Sequence, residues 1–71
     1  MSGTDELLEI RESCEDQFRA DFKRIRRANP GMDDQAVRGK VYQSRPSVVD
    51  RYNYVTNILA DQGVLTQPWW K

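Results

Sequence analysis

The sequence predicts an all-α fold: a small three-helix domain with one long N-terminal helix, two shorter helices and an extended C-terminal tail. Three observations lead there. Apolar residues recur every three or four positions over the first third of the chain. Two Pro-containing breaks, Asn29-Pro30-Gly31 and Ser44-Arg45-Pro46, divide the remainder. Gly63, followed by Val64 and Leu65, then closes the last periodic stretch as a left-handed helix stop.

The first helix is expected over residues 5–28. Leu7, Ile10, Cys14, Phe18, Phe22 and Ile25 step by three or four, the seam of one helix face. Nothing between Thr4 and Asn29 is Gly or Pro, so the helix should run for roughly 36 Å. Asp5, Glu6, Glu9 and Glu12 stand near its start and Lys23, Arg24, Arg26 and Arg27 near its end, which complements the macrodipole. Thr4 is the expected N-cap, and Arg19 is spaced to pair with Glu15 and Asp16. The step is nearer the α-helical period than the strict heptad, which favours a face docked on its own domain over a coiled coil.

Asp33 or Asp34 should cap a short second helix reaching about Gln43, with Val37 and Val41 facing inward and Ala36 beside them. Gly39 in its middle lowers helix propensity by about 1 kcal/mol, so either a close helix approach or fraying is expected there. Pro46 pushes Arg45 out of the helical region, and Ser47-Val48-Val49-Asp50 reads as a capping box opening the third helix. Its stripe is Val48, Tyr52, Val55 and Leu59, with Ile58 alongside.

A chain of 71 residues is one small domain, spanning residues 1–71, with a thin core and no room for a deep substrate cavity. Net charge is zero, but residues 1–16 hold six acids and one Arg, whereas residues 17–51 hold nine cations and four acids. Cys14 is the only cysteine and histidine is absent, which excludes a disulfide framework and the usual small-domain zinc sites. No metal and no cofactor are expected. No segment resembles a signal peptide or is apolar enough to cross a bilayer, so a cytoplasmic, non-membrane protein is expected.

An enzyme is not expected. The commonest general base is missing, and Cys14 lies on the apolar seam without an imidazole to activate it. Carboxylate pairs sit on a solvated helix face with nothing to split their pKa values. Gly31, Gly39 and Gly63 are isolated and build no phosphate loop.

Two features point to binding a protein. Lys23, Arg24, Arg26 and Arg27 put four cations into five positions, more than a helix end requires, and suit an acidic partner surface or phosphates. The adjacent Trp69 and Trp70 cannot both point inward from an extended tail, so Trp69 should pack back while Trp70 stays exposed as an interface anchor. A third feature points to DNA. Helix two, a turn at residues 43–46 and helix three have the order of a helix-turn-helix, and helix three would present Arg51, Asn53, Tyr54 and Asn57 to base edges. Residues 47–65 also resemble the recognition helix of winged-helix domains, which often end in Gly followed by two apolar residues. The chain leaves no room for the wing's return strand, and Asp50 and Asp61 oppose phosphate.

In general character the chain resembles the small phage-encoded inhibitors of host RNA polymerase. No motif aligns, so no residue is carried over. The resemblance implies a non-enzymatic regulator of the host bacterial cytoplasm that binds and inhibits bacterial RNA polymerase, with no small-molecule substrate. A small helix-turn-helix DNA-binding repressor is the competing expectation, and a structural adaptor a third.

Overall fold

A computed structural model of the chain describes residues 3–71. It contains α1 (Gly3–Ala28), α2 (Asp34–Ser44) and α3 (Pro46–Asp61), and no strand among the described residues, as the all-α expectation required. Both short helices pack across α1 and touch each other least. The molecule measures 43 × 18 × 16 Å, so its length is that of α1, about 39 Å for 26 residues.

The apolar period places α1 correctly but not every position on its seam. Cys14, Phe18 and Ile25 are buried, while Leu7 and Phe22 are half-buried and Ile10 is 40% exposed. Buried in their company are Arg11, Glu15 and Asp21, each one step from a predicted apolar position. Phe18 is fully buried at the centre. The rings of Tyr42 and Tyr52 meet it edge-on at 5.7 and 5.3 Å, and Trp69 lies 5.5 Å away. Val37 and Val41 of α2, and Val55 and Leu59 of α3, are buried as their spacing foretold.

The helix ends correct several expectations. Thr4 lies inside α1 rather than capping it, and its hydroxyl donates to Oε1 of Gln62 at 2.8 Å, joining the start of α1 to the end of α3. Asp33 caps α2, accepting from the Ala36 amide at 2.8 Å. A Cβ on Gly39 would meet nothing within 4 Å, so no close helix approach explains that glycine, and the helix runs through it unfrayed. The anticipated capping box at Ser47 is absent. Pro46 takes the first helical position, whose missing N–H costs nothing there, and α3 has no side-chain cap. The turn at residues 43–46 contracts to one residue, Arg45, which ends α2 and begins α3.

At the other end of α3 the left-handed stop forms as expected. Gly63 has φ +78°, the Val64 amide bonds Leu59 O at 2.9 Å, and the Gly63 amide bonds Ala60 O at 3.0 Å. Those two bonds are the Schellman pattern, which satisfies carbonyls the helix end would leave unpaired.

The tail is not simply extended. Residues 69–70 lie in a turn, with the Lys71 amide bonded to Pro68 O at 3.2 Å. The division of the two tryptophans nevertheless holds: Trp69 is 3% exposed and Trp70 45%. Cations of α1 secure the tail's backbone. Arg11 donates to Gln67 O at 2.7 Å and Arg19 to Trp69 O at 3.2 Å.

This core sets an order of sensitivity. Phe18→Ala and Trp69→Ala should each cost about 3–5 kcal/mol, close to the whole stability of so small a domain. Phe22→Ala, at a half-buried site, should cost less. Circular dichroism melts of the three variants check the ranking; equal melting temperatures for Phe18→Ala and Phe22→Ala would contradict it.

Candidate interaction site

Charge separation along the sequence becomes separation in space, because α1 carries its acids at one end and its cations at the other. The Thr4–Gln62 bond brings Asp61 to the acidic pole. At the basic pole the four predicted cations are used differently. Arg26 is committed internally: it pairs with Asp34 at 3.1 Å and donates to Met32 O. Arg24 reaches Asp21 at 3.3 Å but remains two-thirds exposed. Lys23 and Arg27 are exposed and make no ion pair among the described residues. Lys23, Arg24 and Arg27 line a shallow surface with Ala20 and Ala28.

Lys23 also borders a second concavity, a cleft of about 400 Å³ between α1, α2 and the tail. Phe22, Trp69 and Trp70 supply its apolar surface, with Trp69 edge-on to Phe22 at 5.8 Å and to Trp70 at 5.7 Å. Around this surface stand Arg19, Lys23, Arg38 and Lys71, with one acid among the described lining residues, Asp34, which pairs with Arg26 and stays exposed. The Arg38 guanidinium lies 4.6 Å above the Trp70 ring, a cation–π contact that steadies the exposed indole. The cleft therefore joins residues from the two protein-binding features that the sequence offered separately. Arg26 does not line it, being held by Asp34 and Met32 O, and Trp69 contributes as floor rather than anchor.

Arg19, Phe22, Arg38 and Lys71 were not singled out as site residues. Arg19, Phe22 and Lys23 share one α1 face at helical spacing, a signal present in the sequence. Arg38 and Lys71 arrive through tertiary contacts that no local spacing encodes.

The α3 residues Arg51, Asn53, Tyr54 and Asn57 are all exposed, as the DNA-binding alternative requires. Their setting departs from a helix-turn-helix. The joint is one residue long instead of three or four, and α2 and α3 lean on α1 more than on each other. No wing follows Gly63 among the described residues.

Two ionic networks, each built on a buried carboxylate, hold the site's supports. Arg11 pairs with Glu15 at 3.0 Å, rather than Glu15 with Arg19, and both side chains are almost fully buried. Arg11 also donates to Thr56 Oγ1 at 3.2 Å, and its guanidinium sits 4.7 Å over the Tyr52 ring, whose hydroxyl donates to Glu15 at 3.1 Å. In the second network the carboxylate of Asp21, almost fully buried, receives Arg45 and Arg24. Arg45 reaches on to Gln17 Oε1 at 3.2 Å, locking the α2–α3 joint to α1. Among the described residues no buried side-chain nitrogen or oxygen lacks a partner. Burial pushes the Cys14 thiol above its ordinary range, with Arg51 opposing, so it is a poor nucleophile.

Comparison with protein families, with curated proteins and with solved structures finds no match to this chain.

The networks give the fold a pH dependence at both extremes. The Arg45 hydrogen bond, with help from Arg24, holds the Asp21 carboxyl below its usual range against the opposing effect of burial. A depressed folded pKa contributes stability above the unfolded value, near pH 4, and loses it as pH falls toward the folded one. Burial, reinforced by Glu15, pushes the Tyr52 phenol up to about 12 despite Arg11. A raised folded pKa contributes stability below about pH 10 and loses it as pH rises toward 12. Denaturant midpoints against pH should fall in both windows. Asp21→Asn should flatten the acid limb and Tyr52→Phe the alkaline one, and an alkaline limb unchanged in Tyr52→Phe would contradict the assignment.

Proposed function

We propose that the protein is a non-enzymatic regulator that binds a larger protein through its basic pole, and that bacterial RNA polymerase, whose step of initiation or RNA passage it would block, is the partner to test first. One observation carries the binding reading: Lys23 and Trp70, 47 positions apart, border the same cleft, so cations and an exposed indole act as one surface. Arg, Trp and Tyr dominate many protein interfaces because they combine large apolar area with a polar or charged handle. Lys23 and Arg27, which make no ion pair among the described residues, extend that surface along α1, and Arg24 stays two-thirds exposed beside them while pairing with Asp21. The choice of polymerase rests on the resemblance in kind drawn from the sequence. Lack of histidine and the buried, poorly ionising Cys14 support a non-enzymatic role. Residues 3–71 contain no helix long and apolar enough to cross a membrane, and a cytoplasmic site of action belongs to the same proposal.

A DNA-binding repressor is the second reading, favoured by the exposure of Arg51, Asn53, Tyr54 and Asn57 together on α3. Major-groove recognition would make affinity fall steeply with salt and depend on those four residues.

Affinity capture from a bacterial lysate, with and without nuclease, separates the two. Polymerase should be retained regardless of nuclease, and the double reversal Arg24→Glu with Arg27→Glu should reduce recovery about tenfold or more by slowing association. Recovery of nucleic acid alone, abolished by Arg51→Ala and unaffected by the double reversal, would replace the first reading with the second.

A further inference from the structure

We infer that the cleft between α1, α2 and the C-terminal turn is a receptor for a short acidic peptide segment carrying one aromatic anchor. This deepens the protein-binding reading above and rests on it. The size of the cleft is the first argument. About 400 Å³ is at the small end of ligand pockets, room for one large side chain and its neighbours rather than an extended ligand. Its surface is aromatic: Trp69 forms the buried floor, half-buried Phe22 one wall and exposed Trp70 the other. An entering ring finds edges and faces already held at 5.7–5.8 Å spacings, the geometry aromatic rings adopt among themselves.

Charge is the second argument. The rim carries Arg19, Lys23, Arg38 and Lys71, and of these only Arg19 has an ion-pair partner among the described residues. Arg19 spends one nitrogen on Asp16 and one on Trp69 O. Arg38 is stacked on Trp70, and neither it nor Lys23 nor Lys71 makes an ion pair among the described residues. A guanidinium fixed over an indole offers its N–H fork to a carboxylate without losing much further freedom.

The acids nearby limit the length of the ligand. Asp16, the partner of Arg19, is 70% exposed, and Asp34, 64% exposed, lines the cleft itself, so both acids interrupt the cationic rim. A phosphate track several nucleotides long would have to pass one of them, whereas single-strand binding sites need continuous positive grooves. A few carboxylates flanking one anchor need no such track.

The test uses the full chain and a blocked synthetic peptide, Glu-Asp-Phe-Asp-Glu, followed by calorimetry and amide chemical-shift mapping. The peptide should bind saturably, with shifts centred on Phe22, Arg38 and Trp70. Affinity should drop about tenfold or more for Lys23→Glu, Arg38→Glu or Trp70→Ala. Each of these sites is at least partly exposed, so retained helicity should confirm folding of each variant. Replacing the peptide's Phe by Ala should also weaken binding about tenfold, and Arg51→Glu on α3 should leave it unchanged. Binding that survives all three cleft variants would overturn the inference. So would equal affinity for a peptide with Lys in place of its acids, tighter binding of an oligothymidylate of equal charge, or no binding at millimolar peptide. Failure is distinguishable from failure of the parent reading. Polymerase captured by a protein that ignores the peptide would leave the regulator standing without this cleft. Peptide bound without polymerase would leave an acidic-segment receptor with a different target.

Discussion

The buried indole of Trp69 is the contact on which the rest of the molecule depends. Two short helices laid across a long one leave Phe18 with neighbours on only part of its circumference, supplied by Tyr42 of α2 and Tyr52 of α3. Trp69 supplies another side, and its Nε1 donates to the Tyr42 hydroxyl at 3.0 Å, so a polar atom is satisfied as the ring is buried. That hydrogen bond places the indole relative to α2, while the Arg19–Trp69 bond places the same residue's backbone relative to α1. The tail thereby becomes part of the core.

Buried charge does the remaining positioning. A core with eight buried apolar residues has little area to spare, yet Arg11, Glu15 and Asp21 are buried with it. Desolvating such groups is costly, and their attraction offsets that cost only when the geometry leaves no donor or acceptor idle. Here none is idle among the described residues. What the networks add is location. Arg45, the single residue joining α2 to α3, reaches Asp21, so the angle between the two helices is fixed against α1 rather than by contact with each other. Arg11 draws together α1, α3 at Thr56 and the tail at Gln67.

These networks mark where the sequence stopped being legible. Three helices, their order and the inward faces of α2 and α3 follow from period and breaker residues, because those signals are local. So does the left-handed stop at Gly63, since its two hydrogen bonds lie within the six residues 59–64. The sequence points to Thr4 and Ser47 as caps, but Thr4 lies within the first turn of α1, and Pro46 pre-empts Ser47 by taking the first helical position itself. Arg11 and Glu15 were legible as a helical pair by spacing, but nothing local distinguishes that pair from Glu15 with Arg19. The choice is made by Tyr52 and Gln67, which lie 37 and 56 positions away from the residues they bond. The cleft has the same character: Lys23 and Trp70 are conspicuous in the sequence, but Arg38 enters only because α2 folds back beside the tail.

Closure of the fold and construction of the cleft are consequently one event. Lys71 amide to Pro68 O closes the turn that sends the two adjacent indoles in different directions, at 90° to one another. One ring completes the core and the other becomes a wall, held by the stacked Arg38 guanidinium. A flexible tail carrying the same residues would lose ordering entropy on binding any partner. Here much of that ordering has already been achieved by folding, so the exposed indole and the cations beside it meet a ligand in nearly the geometry they already hold. In a protein of this size, a thin core that borrows its last side from the tail also rigidifies the surface best suited to recognition.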